Sequence, residues 1–306
     1  MDLRGNKGSG DLPRVAVLGT GKMGGAMARR LSAEGFPVTV WNRTQAKAEA
    51  LGVGSVATSP AQAARDADVI ISMVTGPQAI RDIYLDRGVL AAAAGKTIVE
   101  MSTAGPGATA MLADAAAERG VTMVDAPVMG SVAAVLAGTL AILASAEDEA
   151  EVDAIRPVLE HLGEVRYVGR LGTSASLKLV ANSFLAIVST AAAELMAAGA
   201  RQGVEADEMF NILTRTAPGL RVREAGFVRH QHQPAMFNTS DIVKDLDLAM
   251  RLFTEGGAPI RNIPLTVLVH DQYMRVADAS PNDDITAITN AYSIDRAPAA
   301  QIKEVA

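Results

Sequence analysis

Residues 15–28, Val15-Ala16-Val17-Leu18-Gly19-Thr20-Gly21-Lys22-Met23-Gly24-Gly25-Ala26-Met27-Ala28, decide the fold of this chain. The run 15–18 is short and wholly apolar, which is the signature of a buried strand. A glycine turn follows, and residues 23–32 continue with helical spacing. Gly19, Gly21 and Gly24 form a G-x-G-x-x-G pattern in the strand–turn–helix setting that gives the pattern its meaning. Each glycine has a separate physical task. Gly19 permits the tight turn, Gly21 lets a pyrophosphate approach the backbone, and Gly24 lets the helix pack against the strand. The N–H groups that open the helix, at Lys22, Met23 and beyond, are donors suited to phosphate oxygens.

The next strand, over 38–41, ends in Asn42-Arg43-Thr44. In a dinucleotide fold an acidic residue here accepts hydrogen bonds from the ribose 2′-hydroxyl. This sequence has no acid at 42–44. Arg43 instead offers a guanidinium fork suited to a 2′-phosphate, and Asn42 and Thr44 add neutral donors. NADP(H) is therefore the expected cofactor.

The chain has 306 residues, 49% of them hydrophobic, which suits two domains with real cores. A formal net charge of −6 gives no electrostatic footprint for nucleic acid. With no cysteine there is no disulfide, thiolate nucleophile or cysteine-bound metal, and the composition fits a reducing, cytoplasmic setting. No His, Asp and Glu grouping has metal-ligand spacing, so no metal is expected. Residues 1–12 are polar, rich in glycine and without the apolar core of a leader, and are expected to be a disordered tail. The apolar stretch 177–200 is interrupted by Lys178, Asn182, Ser183, Ser189, Thr190 and Glu194. It reads as a buried helix and not as a membrane span.

From 13 to 168 apolar runs alternate with helical segments. Strands are expected over 15–18, 38–41, 69–73, 97–101 and 121–124, with helices between them: an α/β doubly wound parallel sheet of the Rossmann type. Two later runs, 139–144 and 165–168, are expected to extend that sheet. From 169 to 306 the pattern is helical, over 174–200, 206–214, 243–256 and 263–277, which predicts an all-α C-terminal domain. The first of these helices is apolar on nearly every face, as a central helix or a contact between subunits would be.

In a doubly wound sheet, ligands bind beyond the carboxyl ends of the strands. Those ends carry Val74-Thr75-Gly76-Pro77, Ser102-Thr103 and Asp125-Ala126-Pro127-Val128-Met129-Gly130-Ser131. Val74, Thr75 and Thr103 are thereby candidate cofactor contacts. Reduction of a carbonyl needs a proton donor for the nascent alkoxide. The four histidines lie away from the strand ends, with His230 and His232 in an arginine-rich loop expected to be exposed. Tyr-x-x-x-Lys is absent. Lys178 is the better candidate: a lysine on an apolar helix is costly unless used or paired, and desolvation would lower its pKa. Asn182, four residues on, shares its face. Arg215, Arg221, Arg223 and Arg229 read as a solvated surface.

The whole pattern resembles the β-hydroxyacid dehydrogenase family, the group of 3-hydroxyisobutyrate dehydrogenase and glyoxylate/succinic semialdehyde reductase. The resemblance rests on the glycine turn with Met23, Met27 and Ala28; on Asp125-Ala126-Pro127-Val128-x-Gly130; on Gly169-x-x-Gly172 through Lys178 to Asn182; and on Lys244-Asp245-Leu246-x-Leu248-Ala249. It implies that Lys178 is the general acid/base and that Asn182 helps hold the substrate. It also implies that residues 129–131 bind a substrate carboxylate, that Thr103 lies by the nicotinamide, and that Lys244 lies near cofactor or substrate. Homodimers or homotetramers through the helical domain are implied as well. Two departures stand out. Met129 and Ala181 occupy positions where the family carries serine and asparagine, so Ser131 is left to supply the hydroxyl. Imine reductases share the expected fold and cofactor, but generally carry Asp or Tyr where Lys178 stands. A non-catalytic NADPH sensor or scaffold is the rival of another class. Lys178 and Asn182, both in place, argue against it.

Overall fold

The structure, a computed structural model, describes residues 12–292. Residues 1–11 of the expected tail at 1–12, and the last stretch of the expected helical domain, 293–306, lie outside the described residues. By internal contacts the chain forms two compact units, one through Ala181 and one from Asn182.

The first unit is built on six parallel strands: β1 (Val15–Leu18), β2 (Val38–Trp41), β3 (Ser55–Val56), β4 (Val69–Ser72), β5 (Thr97–Glu100) and β6 (Thr122–Asp125). Their order is β3-β2-β1-β4-β5-β6, so the direction of winding reverses beside β1. Alternation along each strand divides the core. Val15, Val17, Val40, Ile71, Val99 and Val124 pack on one face against Met27 and Leu31 of the Lys22–Ala33 helix. Ala16, Leu18, Ile70 and Ile98 pack on the other against Ala63, Ile80, Tyr84 and Leu112. Both faces are buried, as a parallel sheet requires.

The expectation that the two later runs extend this sheet is corrected. They form a second sheet, ordered β7-β8-β9, from β7 (Val128–Met129), β8 (Leu140–Ala144) and β9 (Gly163–Tyr167). The chain leaves β6 through Ala126 and Pro127, and β7 then runs antiparallel to β8. Among the described residues, a bridge between Asp125 and Ser145 is the one backbone pairing that joins the two sheets' ends. The short strand β3 escaped the sequence pattern because both of its residues are exposed. It is placed by Gly54, where an added Cβ would come within 2.1 Å of the Val38 carbonyl oxygen.

The second unit is helical among the described residues. Ala186, Ala192, Ala193 and Met196 of the long Thr173–Arg201 helix pack with Phe210, Phe227, Ile242, Leu246 and Tyr273. That helix is long and apolar enough to cross a membrane by length and composition alone. It is not enclosed all round: Leu177, Val180, Leu195 and, at 66% exposure, Phe184 face outward. Two other expectations are corrected here. Arg223 is nearly buried, 3.4 Å from Asp284, and is not part of a solvated surface. His232 is half-buried, with Nδ1 3.0 Å from the Thr286 hydroxyl, because Gly226 admits Thr286 where any Cβ would clash at 2.1 Å.

Candidate active site

The parallel register brings the carboxyl ends of β1, β2, β4, β5 and β6 to one edge. At the first of them Gly19 has φ +98°, and a Cβ there would lie 2.3 Å from the Met73 carbonyl oxygen. A Cβ on Gly24 would lie 2.0 Å from the Gly19 oxygen, so turn and helix touch through backbone. Gly21 differs: a Cβ there meets nothing within 4 Å. Gly21 is also the N-cap of the Lys22–Ala33 helix and provides no side chain to its first N–H groups. Beside it the Thr20 hydroxyl is buried and without a hydrogen-bond partner. Open space over Gly21, uncapped donors and an orphaned hydroxyl are what a phosphate-bearing group would complete. The residues present therefore fit a dinucleotide.

Asn42 and Arg43 follow β2. The Asn42 Oδ1 accepts from the Thr20 N–H at 3.1 Å, and its Nδ2 donates to the Thr44 carbonyl at 3.0 Å. Asn42 thus braces the glycine turn against the β2 end, a role its sequence position did not reveal. Arg43 and Thr44 are exposed. At the ends of β4 and β5 the Val74 N–H donates to the Ser102 hydroxyl at 2.8 Å, while Thr75 is exposed and Thr103 half-buried.

Beneath Ser102 lies a polar network that the sequence did not announce. Glu100 accepts from the Ser102 N–H at 2.7 Å and from the Ser72 hydroxyl, which also meets the Tyr84 hydroxyl at 2.7 Å. Burial pushes the Glu100 carboxyl up to about 7, against the hydrogen bonds from Ser102 and Ser72, and the neighbouring Asp125 adds to the rise. Burial likewise raises Asp125, in register with Glu100 on β6, to about 6 despite its own donors. Both folded-state values lie above the ordinary carboxylate range. The folded protein therefore holds protons that the unfolded chain has released, and stability contributed by these groups is lost as pH rises toward 7. For Glu100 the difference amounts to about 3 kcal/mol. Glu100→Gln is expected to melt higher than the native protein at about pH 8 and to flatten the melting temperature between about pH 5 and 8. Parallel melting curves against pH for the two proteins would show Glu100 to be neutral to folding.

Past β6, Met129 is exposed, Gly130 takes φ +136° and Ser131 is half-buried. A Cβ on Gly130 would press on the Leu140 side chain at 2.8 Å and on Ala134 at 3.0 Å. Lys178 lies in the second turn of the Thr173–Arg201 helix and is half-buried, less enclosed than its apolar surroundings in sequence suggest. Ser174, Lys178 and Asn182 fall at intervals of four and share one face. In the second unit, the Asn182 Nδ2 donates to Asp245 Oδ2 at 2.5 Å, and Asp245 also pairs with Lys244. Asp245 is buried, so the two candidates Asn182 and Lys244 are held by one carboxylate. Asp245 was visible in sequence as part of a motif but carried no role there.

A parallel sheet whose first strand ends in this open, uncapped glycine turn defines a dinucleotide-binding α/β protein. Two family models divide the chain: the NAD binding domain of 6-phosphogluconate dehydrogenase over residues 14–172, and the NAD-binding domain of NADP-dependent 3-hydroxyisobutyrate dehydrogenase over 172–292. The chain belongs to the β-hydroxyacid dehydrogenase family and is an oxidoreductase that binds a nicotinamide dinucleotide. It is 34% identical to the NAD-dependent L-serine dehydrogenase of Pseudomonas aeruginosa, over 68% of this chain and 71% of that one. It is 29% identical to glyoxylate/succinic semialdehyde reductase 1 of Arabidopsis thaliana, over 92% and 99%. The solved 3-hydroxyisobutyrate dehydrogenase of Mycobacterium tuberculosis, with L-serine, superposes with a TM-score of 0.81 at 27% identity, covering 91% of this chain and 98% of that one. A Streptomyces aurantiacus imine reductase matches at a TM-score of 0.63 and 22% identity, which is a likeness of fold alone.

Proposed function

We propose that this hydroxyacid dehydrogenase uses NADP(H) to interconvert a small β-hydroxy acid, or a related hydroxy acid, and its aldehyde- or keto-acid. The observation that carries the reading is the single helical face bearing Lys178 and Asn182, four residues apart, in a chain whose family acts on hydroxyl groups. When bound, the cofactor supplies hydride-transfer chemistry. Gly19, Gly21 and Gly24, with the helix N–H groups from Lys22 and Met23, would hold its pyrophosphate. Val74, Thr75, Thr103 and Lys244 are proposed as further contacts. The Lys178 ammonium donates a proton to the carbonyl oxygen as negative charge develops there, and in reverse the amine takes the hydroxyl proton. Asn182 would hold the substrate. Residues 129–131 would hold its carboxylate through backbone N–H groups and the Ser131 hydroxyl, with Met129 adding an apolar wall. The outward Leu177, Val180 and Phe184 support a homo-oligomer formed through the long helix.

Preference for NADP(H) rests on Arg43, exposed at the end of β2 with no acid beside it, and on the NADP-dependent family named above. The test follows oxidation of NADPH and of NADH with glyoxylate, succinic semialdehyde, methylmalonate semialdehyde, tartronate semialdehyde and a cyclic imine. NADPH is expected to be preferred with an aldehyde-acid. Arg43→Ala is expected to raise KM for NADPH about 10- to 100-fold while leaving NADH nearly unchanged. Equal losses with both cofactors, or a native preference for NADH, would refute the assignment of Arg43. Turnover of the imine alone would refute the substrate class.

A further inference from the structure

Asp125 has no part in the proton transfer just described, yet it is a buried carboxyl whose hydrogen bonds reach a segment 49 residues away. It is 1% exposed at the end of β6. Its Oδ2 accepts from the Ser174 hydroxyl at 2.7 Å and from the Ala175 N–H at 3.1 Å. The Ser174 hydroxyl also lies 2.9 Å from the Asp125 carbonyl oxygen and 2.6 Å from the Ser145 hydroxyl. Ser145 in turn exchanges both backbone hydrogen bonds with Asp125, at 2.9 and 2.8 Å. Ser174 and Ser145 are completely buried. The donors that reach this carboxylate are neutral, so its burial is costly compared with that of an amide or a hydroxyl in the same place.

The knot joins two things that the proposed chemistry needs in register. In the chain, Asp125 leads directly into Pro127 and the 129–131 segment. In space, it holds the first turn of the Thr173–Arg201 helix, and Ser174 stands one turn below Lys178 on the same face. Its carboxylate also meets that helix at its positive end. A negative charge there offsets the dipole that would otherwise disfavour an ammonium in the second turn.

We propose that Asp125 is a positioning residue for the reaction: through the Ser174 hydroxyl and the Ala175 N–H it fixes the Lys178 turn relative to the 129–131 segment. The inference rests on the reading of Lys178 as the acid/base. Its content is separate, because it assigns to Asp125 and Ser174 an effect that exists only while Lys178 is present.

The experiment is a double-mutant cycle in the full chain, with the aldehyde-acid turned over best by the native enzyme. Asp125→Asn, Ser174→Ala and Lys178→Ala are made singly, and each of the first two is combined with the third. Asp125→Asn and Ser174→Ala are expected to lower kcat by up to about 100-fold, the cost of a misplacement near 1 Å, with KM for the nicotinamide cofactor unchanged. In the Lys178→Ala background neither should lower kcat further. Amide exchange supplies a readout apart from activity. In Ser174→Ala the amides of 174–178 should exchange faster, while those of the six-stranded sheet keep their protection. Multiplying effects in the double mutants, unchanged kcat in both single variants, or uniform loss of protection would each overturn the positioning role. If Lys178→Ala retains full activity, the reading of Lys178 falls, and the positioning role falls with it. A Lys178→Ala defect accompanied by multiplying effects removes the positioning role alone.

Discussion

Lys178→Ala should reduce kcat by about 10² to 10⁴-fold, the range supplied by a positioned acid or base. Affinity for the nicotinamide cofactor should stay within about twofold, because the variant leaves the glycine turn and the β2 end intact. The reasoning is local. Lys178 shares a helical face with Asn182, which donates to the buried Asp245, and with Ser174, which donates to the buried Asp125. The lysine itself is half-buried, so truncation leaves no large cavity and folding should be little affected. Stopped-flow measurement of the chemical step, with cofactor binding followed by fluorescence, separates the two effects. Loss of cofactor binding equal to the loss of turnover would show Lys178 to be a binding residue. Retention of turnover would remove it from the mechanism.

The second large effect separates Gly24 from Gly21, the one expected to serve packing and the other the approach of the pyrophosphate. Gly24→Ala forces a Cβ to within 2.0 Å of the Gly19 carbonyl oxygen, a backbone atom with no rotamer to escape through. It should destabilise the protein by about 3 kcal/mol or more, seen as a lower melting temperature without any ligand. Gly21→Ala places its Cβ in open space and should melt with the native protein in the absence of cofactor. Yet that methyl occupies the approach to the uncapped helix start, and cofactor affinity should fall by more than about 100-fold. Thermal shift with and without NADPH reads both quantities. A Gly21→Ala protein that gains as much melting temperature from NADPH as the native one would place the pyrophosphate elsewhere. A Gly24→Ala protein of native stability would contradict the backbone contact.

Much of this was legible from local chemistry. The strand–turn–helix at 15–28 announces itself because strand burial, turn geometry and helix start are each encoded within a few residues. The end of β2 at Trp41 was readable for the same reason, with Arg43 exposed just beyond it. What stayed hidden depends on partners far along the chain. Asp125 and Ser174 are 49 residues apart, and nothing in Asp-Ala-Pro says that the carboxylate caps a distant helix. Glu100 ends an ordinary apolar strand, and only the fold shows that Ser72, Tyr84 and Ser102 gather round it. The runs at 139–144 and 165–168 were read correctly as strands and assigned to the wrong sheet. Alternation reports that a segment is extended, and says nothing of which edge it pairs with. His232 does lie in a loop, but it was expected to be exposed because its partial burial depends on the missing Cβ of Gly226.

The separate three-stranded sheet has a mechanical consequence. The glycine turn hangs from β1 of one sheet, whereas β7, which carries Met129 into the segment proposed to meet the substrate, hangs from β8 of another. Among the described residues, and apart from the Asp125–Ser145 bridge, the hydrogen-bond ladders of the two sheets are independent. Their side chains are not: Leu140, Ile142 and Val165 share one core with Met27 and Leu31 of the glycine-turn helix, and Arg30 of that helix donates to the His161 carbonyl at 3.0 Å. The two sheets are separate as ladders and continuous as packing, so a change of volume beneath β7–β9 is passed to the nucleotide cradle through side chains and not through backbone.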